Sequence, residues 1–445
     1  LTSTTGKDME VNYVDYRDAS GEIIEVGDGA GIRANTGSVS LDRTVYPVPW
    51  GGIGDYASNT PSSTTPGDGT TTRSLFPVHK TGIAANTAVN TIPETIGTGD
   101  VVVHIRVNDP DFNTSGAGSD FIKQNASSAT GSDLKFGPVK IMIQRGTDVA
   151  LLATAGGALA QSGVITSGTD PAPITSGGIM QRTSADKMTR ELGGIAEVSP
   201  DAGIFELDFT IRFTDGPLST KCPTGTTQYT QLDGGTTKNE SDRFFALTTA
   251  GTAATGQFAV NSTSAGRHCI LQGDIITVEY RDPTDAAGKI NTVTDSATFD
   301  LRNGVIQSDK SVYIIGSDMI LTLIEPDFDR DNDTAETYDL DLIEWDSDAA
   351  EITMGNLASI RGSTSDAAAF DPEPSNFRET GDSTGIFQIV IEIPNTLNSQ
   401  KLDRGEKVEL EYTDWGPSGA NFVGEENQDI NLIIFTSNFG ATVEL

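Results

Sequence analysis

Chemistry in this chain concentrates where oxygen-bearing side chains alternate. The run Glu325-Pro326-Asp327-Phe328-Asp329-Arg330-Asp331-Asn332-Asp333 follows the apolar stretch Met319-Ile320-Leu321-Thr322-Leu323-Ile324. A sparser copy, Asn108-Asp109-Pro110-Asp111-Phe112-Asn113, follows Val101 to Val107. Each time a strand delivers the chain to a proline-fixed turn and then to carboxylates that only a cation or water can neutralise. A hard cation such as Ca²⁺ takes about six to eight oxygens at roughly 2.3–2.6 Å, and a turn can bring alternate acids to one point. Glu325, Asp327, Asp329, Asp331 and Asp333, with Asp109 and Asp111 in the earlier copy, are therefore candidate ligands of a divalent cation, calcium first. A solvated acidic turn is the competing reading. The loop is not an EF-hand: counted from Asp327, Asn332 stands where glycine is needed and Tyr338 where the bidentate Glu belongs.

Other chemistries find less support. The histidines are His79, His104 and His268, and no two have metal-ligand spacing. A G-x-S-x-G match occurs at Gly381-Asp382-Ser383-Thr384-Gly385, but a nucleophile elbow needs a helix after the serine, and a strand pattern comes next. It reads as a turn. Acid pairs for glycoside chemistry could be chosen almost anywhere among 63 carboxylates, so none is informative. The reading is a protein that is not an enzyme.

The formal charge of −34, from 63 acidic and 29 basic residues, excludes general nucleic-acid binding, which needs clustered Lys and Arg. Small cations are the expected partners. Eleven acids and one base lie between Glu325 and Asp348. Cys222 and Cys269 have no C-x-x-C spacing; they read as one disulfide in an extracellular chain, or else as two buried thiols. Sequons at Asn113, Asn125, Asn239, Asn261 and Asn332 fit a glycosylated surface protein. No apolar run reaches the roughly 20 residues that cross a bilayer, no signal-peptide pattern is present, and no membrane anchor is visible. The chain reads as a mature secreted product or an excerpt from one.

Around these motifs the elements repeat. Met9 to Tyr16, the turn Asp18-Ala19-Ser20-Gly21 and Glu22 to Val26 make a β-hairpin pattern. It recurs at Asp274 to Asp282 with Asp285-Ala286-Ala287-Gly288, and at Lys407 to Asp414 with Gly416-Pro417-Ser418-Gly419. The segments after the hairpins match as well: Asn35 to Tyr46 aligns with Arg302 to Tyr313, and Asn438 to Leu445 is a third start. Gly203-Ile204-Phe205 and Gly385-Ile386-Phe387 open a further pair of alternating strands. The implied organisation is a closing hairpin of a preceding unit over 1–36, a unit with insertions over 37–303, a second unit over 304–437, and the opening strand of another over 438–445.

The first unit is about twice as long as the second. Its excess falls in Tyr56 to Gly69, Ala153 to Ser176 and Cys222 to Gly256, as decorations at the sheet ends or as a second small domain around residues 135 to 215. One short helix is predicted over Ser184 to Leu192. The 48 glycines, β-branched runs and scarce 3.6-residue periodicity place the chain in the all-β class. Two antiparallel sheets packed face to face, as tandem immunoglobulin-like β-sandwich domains, are the economical arrangement, although the Cys–Trp–Cys core signature is absent. Trp50, Trp345 and Trp415 are read as core or interface residues.

The segments Leu41-Asp42-Arg43-Thr44-Val45-Tyr46-Pro47-Val48-Pro49, Asn108 to Phe112, Gly316 to Asp329 and Asp339 to Asp346 resemble surface-layer (S-layer) proteins of ammonia-oxidising archaea. The resemblance spans essentially the whole chain. It implies a secreted, glycosylated protein of tandem immunoglobulin-like domains that self-assembles into a two-dimensional lattice over the cell; the acidic surface would then line pores that favour cations such as ammonium. The chain is shorter than such a lattice protein. The alternative function is a surface adhesin or filament subunit assembled by strand exchange.

Overall fold

The computed structural model describes residues 8–50, 76–78, 95–96, 99–122, 137–146, 148–156, 180–184, 187–191, 194–211, 229–231, 245–247, 270–355 and 367–437. Among them the chain is all-β, with several sheets and only single-turn 3₁₀ helices. No helix among the described residues is long and apolar enough to cross a membrane. Cys222, Cys269, His79, His268, Asn125, Asn239, Asn261 and the 438–445 segment lie outside the described residues.

Asp8–Asp15 (β1) and Ile24–Gly31 (β2) pair as an antiparallel hairpin. There follow Ser38–Leu41 (β3), Val45–Pro47 (β4), Phe76–Pro77 (β5), Thr95–Ile96 (β6), Val101–Asn108 (β7), Phe121–Ile122 (β8), Val139–Arg145 (β9) and Asp148–Ala155 (β10). Next come Met180–Ser184 (β11), Lys187–Glu191 (β12), Ile195–Glu197 (β13), Ile204–Ile211 (β14), Tyr229–Gln231 (β15), Phe245–Leu247 (β16), Ile275–Asp282 (β17) and Asn291–Asp300 (β18). Val305–Ser308 (β19), Val312–Ile314 (β20), Asp318–Ile324 (β21), Thr337–Tyr338 (β22), Ile343–Asp346 (β23), Glu351–Thr353 (β24) and Glu373–Glu379 (β25) continue the chain. It ends with Ile386–Glu392 (β26), Thr396–Leu397 (β27), Gln400–Lys401 (β28), Lys407–Asp414 (β29) and Gln428–Ser437 (β30).

One strand order occurs twice. The sheet β3-β7-β14-β13-β8 is matched strand for strand by β19-β21-β26-β25-β22. The run β4-β18-β17-β9-β10 is matched by β20-β30-β29-β23-β24. In the first pair of sheets β12, β11, β15 and β16 extend the β10 edge to give nine strands, so β9 to β12 belong to one sheet while β13 and β14 belong to the other. The predicted repeat of hairpin, opening strand, acidic-loop strand and Gly-Ile-Phe strand thus coincides with a repeated topology.

Period-two burial explains the strands. In β21, Met319, Leu321 and Leu323 are buried while Ile320 faces solvent, and in β29 Val408, Leu410 and Tyr412 are buried. Strand β3 lies against β17 and β18 of the opposite sheet, and the buried apolar residues of both sheet pairs form one continuous cluster. Trp50 and Trp345 are fully buried and Trp415 nearly so.

The hairpin turns have a local cause. Asp18 accepts from the backbone N–H of Ser20 and Glu22 at 2.9 and 2.8 Å, and Asp285 accepts from those of Ala287 and Lys289 at 2.9 and 2.8 Å. The glycine that closes each turn, Gly21 or Gly288, has φ of 86° or 74°, which a Cβ would oppose. The third hairpin departs from this plan: β30 begins only at Gln428, and the longer connection buries Trp415, Phe422 and Val423. The helix predicted over Ser184 to Leu192 is also not formed. Ser184 stands opposite Lys187 in the β11–β12 hairpin, and β12 runs parallel to β10 with Ala153 opposite Arg190. Pairing at an open sheet edge outweighs a modest helix propensity.

Candidate cation centre and junction

The motif acid-Pro-Asp-Phe builds the same turn in both copies. Glu325 caps the single-turn helix Pro326–Phe328 by accepting from Asp327 N–H at 3.2 Å, and Asp109 caps Pro110–Phe112 by accepting from Asp111 N–H at 3.0 Å. Proline suits the first helical position because its missing N–H would have no partner there. Phe328 then anchors the loop. Its ring stacks on Tyr338 with centroids 4.2 Å apart and meets Phe76 edge-on at 4.8 Å.

Beyond this anchor the five predicted ligands do not converge on one point; they divide into three environments. The first is inward. Glu325 and Asp327 are fully buried beside Asp414. Tyr412 donates its hydroxyl to Glu325 Oε2 at 2.8 Å, and Asp414 accepts from the N–H groups of Gly304 and Gly416 at 2.9 and 2.7 Å. Asp327 accepts from Arg302 N–H at 3.3 Å. Burial, reinforced by the charge of Asp414, pushes the Glu325 and Asp327 carboxyls well above the usual range. Burial likewise raises Asp414 against its two N–H donors.

The earlier copy repeats this arrangement around Gly37. Tyr280 donates to Asp109 at 2.5 Å, and Gly37 N–H donates to Asp282 at 2.8 Å. Asp111 accepts from Asn35 N–H and Nδ2 at 2.9 Å. Burial raises the Asp109 carboxyl. Asp109 and Asp111 are therefore placed on a junction segment, one on the tyrosine and the other on Asn35.

The second environment joins the two sheet pairs. Asp331 Oδ1 lies 3.0 Å from His104 Nε2, Asp208 Oδ1 lies 2.9 Å from Nδ1, and Asp333 Oδ2 lies 3.7 Å from Nδ1. Arg43 donates to the Asp329 backbone oxygen at 2.9 Å and to its Oδ1 at 3.2 Å. Val102 N–H donates to Arg330 O at 2.9 Å, and Asn332 Nδ2 donates to Asp42 Oδ2 at 2.7 Å. Burial opposes protonation of His104, but its bonds to Asp331 and Asp208 and the charges of Asp42 and Asp333 prevail, and its pKa is raised. Carboxylates at both ring nitrogens suit an imidazolium, which donates from each. Of the two described sequon residues, Asn332 is held in this junction, and Asn113 Nδ2 donates to Asp201 at 3.0 Å.

The third environment holds Asp329 with two acids that spacing alone did not single out, Glu336 and Glu379. Their carboxylates present oxygens within 4.8 Å of one another, and all three residues are buried. Glu336 Oε1 accepts from Arg330 and Asp331 N–H, both at 2.9 Å. Glu379 Oε1 accepts from Thr384 and Gly385 N–H at 2.6 and 2.7 Å. Glu336 Oε2 is buried with no donor; only a proton shared with Glu379 or a cation satisfies it. Burial, then that contact with Glu379, pushes the Glu336 carboxyl up to about 8. Ser383 Oγ lies 3.4 Å from Asp329 Oδ2, and the strand β26 comes after it, so the G-x-S-x-G match is a turn between strands. The equal spacing of Glu197 before Gly203 and Glu379 before Gly385 is the sequence signal that could have found Glu379.

All the ligand atoms of these three environments are oxygens, apart from the imidazole at the junction. Such a set suits a hard cation over a soft one. No family model matches the chain, and no curated protein matches it. Among solved structures the chain is similar to the crystal structure of the S-layer protein rSbsC(31-844), at a TM-score of 0.19 and 10% sequence identity, over 99% of this chain and 46% of that one. The chain thus spans less than half the length of that structure, and a likeness at that score does not establish a shared fold.

Proposed function

We propose that this chain is a structural cell-envelope protein, an extracellular, glycosylated subunit or fragment of an S-layer lattice. Its tandem immunoglobulin-like sandwich units cover 37–303 and 304–437, with a closing hairpin over 1–36 and an opening strand over 438–445. The observation that carries this reading is the junction. The acidic loop of the second sheet pair is seated on Arg43, Val102, His104 and Asp42 of the first. Successive units joined by several directional polar contacts hold a fixed mutual orientation, which a lattice strut requires and a flexible tether does not. The motif resemblance to archaeal S-layer proteins supports the same reading.

In this reading divalent cations, calcium first, hold the acidic corners, and the surface carboxylates line pores that favour cations such as ammonium. At ionic strength near 1 M the Debye length is about 3 Å, so that preference needs narrow pores or clustered acids. Electron microscopy of the assembled protein, with and without chelator, tests it. A porous sheet that loses order on chelation is expected. Failure to form any two-dimensional array would overturn the lattice reading, and an array indifferent to chelator would overturn the cation role.

One observation favours a second reading, a strand-exchanging adhesin or filament subunit. Met9, Val11 and Tyr13 of β1 are 51, 62 and 66% exposed, whereas Ile276, Val278 and Tyr280 at the matching positions of β17 are buried. An apolar hairpin face of this kind can be covered by another chain's sheet. One-dimensional fibres in the same micrographs would favour this second reading.

A further inference from the structure

The two sheet pairs provide a comparison at one corner within the same molecule. In the first, Asp120 Oδ2 accepts from Thr114 and Ser115 N–H at 2.6 and 2.8 Å, and its Oδ1 accepts from Thr114 Oγ1 at 2.8 Å. Asp120 N–H donates to Glu197 Oε2 at 2.9 Å, and Gly203 N–H to Glu197 Oε1 at 2.7 Å. In the second, Glu336 replaces Asp120. It accepts from Arg330 and Asp331 N–H, and its own N–H donates to Glu379 Oε2 at 3.3 Å, while Gly385 N–H donates to Glu379 Oε1 at 2.7 Å. The scaffold is the same.

Three differences change its chemistry, the first being that Arg330 stands where Thr114 gives its hydroxyl to Asp120 Oδ1. Glu336 is one methylene longer than Asp120, and while Oε1 occupies the pair of N–H donors, Oε2 is buried without any donor. Counting from the shared acid-Pro-Asp-Phe turn, the place of Asn113 is taken by Asp329, which brings a third carboxylate. Asp329, Glu336 and Glu379 are 8, 8 and 4% exposed. Their ligand atoms lie within 4.8 Å of one another, close enough for one ion to reach all three. Arg43 occupies Asp329 Oδ1 and leaves Oδ2 on the side of Ser383. A buried oxygen without a donor, facing further carboxylates, costs free energy unless a shared proton or a cation between them satisfies it, and a cation answers all three carboxylates at once.

We propose that Asp329, Glu336 and Glu379 bind one divalent cation of the calcium type, and that the matching corner of the first sheet pair, Asn113, Asp120 and Glu197, does not. The ion would sit directly behind the Asp329–Asp333 segment and fix the backbone that meets His104 and Asp42. The proposal rests on the cation-held corners of the proposed function, but it does not depend on lattice assembly.

The test is calcium binding by the full chain, measured by isothermal titration in calcium-stripped buffer, for wild type, Glu336→Asp, Glu379→Gln and Glu197→Gln. Glu336→Asp puts at this corner the acid that the first sheet pair folds with, but without the Thr114 hydroxyl that serves Asp120 there, so circular dichroism and urea unfolding of each variant are read beside the titration to show that it is folded. Glu336→Asp should lose one bound ion per chain, or weaken that ion at least tenfold, as should Glu379→Gln. Glu197→Gln should keep the wild-type stoichiometry. Wild-type binding that Glu336→Asp leaves unchanged, or no wild-type binding at millimolar calcium, would overturn the site. If the site is lost in Glu336→Asp while chelation leaves assembly untouched, the site stands and the cation's role in the lattice falls.

Discussion

Replacing Gly304 by alanine tests how the chain is passed from one sheet pair to the next. A Cβ built on Gly304 would lie within reach of two atoms that cannot retreat: it would meet Glu325 Oε2 and come within 2.7 Å of Tyr412 Cε1. Both residues are fully buried, so neither can swing into solvent. Moving them apart adds an overpacking cost of about 1–3 kcal/mol. It also separates the Tyr412 hydroxyl from the Glu325 carboxyl and leaves a buried polar group unmatched, a further ~1–3 kcal/mol. Gly304→Ala should therefore destabilise the second sheet pair by about 2–6 kcal/mol, read from urea unfolding followed by tryptophan fluorescence. Tyr412→Phe removes only the hydrogen bond and should cost about 1–3 kcal/mol. The double variant should fall short of the sum, because both changes act on Glu325. At the other junction a Cβ on Gly37 would lie 2.6 Å from Tyr280 Cε1 and 3.1 Å from Asp109 Oδ2, so Gly37→Ala should show the same effect at smaller size. A Gly304→Ala protein as stable as wild type would show that the junction opens without cost, and the account of a clamped linker would fall.

The raised pKa of His104 means that the folded chain keeps its proton to higher pH than the unfolded chain, whose value is about 6.5. Its stabilisation is then complete below that pH and is lost as pH rises through the folded value. Thermal unfolding from pH 5 to 9 should show a shallower decline for His104→Gln than for wild type; because buried acids such as Glu336 slope the same way, the difference between the two curves is the readout, and parallel curves would refute the assignment. Arg145 holds the buried Asp274 through two bonds of 2.7 and 2.5 Å, so Arg145→Met should cost about 3–5 kcal/mol by leaving that carboxylate unpaired, measured by urea unfolding, and Asp274→Asn should recover part of the loss.

Much of the architecture was legible in the residues because it rests on local rules. The Asp-x-x-Gly turns, the alternation in β7, β14, β21 and β26 and the acid-Pro-Asp-Phe caps are decided within a few positions. The recurrence of these marks in one order made the repeat visible. The hidden part was set by distant partners. His104 meets Asp331 across 227 residues, and Tyr412 meets Glu325 across 87; no spacing rule links them. Alternate acids on an irregular loop have no fixed face, unlike those on a strand or helix, so the run from Glu325 to Asp333 could not reveal that its members look in three directions. The segment from Ser184 to Leu192 went to a strand hairpin for a similar reason, since an open edge beside β10 is a fact of tertiary structure.

The parallel pairing of the second strand of each sheet pair with its last has a mechanical consequence. Strand β4 runs beside β18 with Val45 opposite Thr298, and β20 beside β30 with Val312 opposite Phe435. The two strands of each pair point the same way, so the chain enters and leaves at opposite ends. Tension along the chain therefore pulls these neighbours in opposite directions along their length, and their hydrogen bonds are loaded together in shear and do not open one after another like a zipper. Resistance to such a pull is governed by the rate of forced unfolding and not by equilibrium stability, so a series of these units would yield in discrete steps and not by gradual stretching.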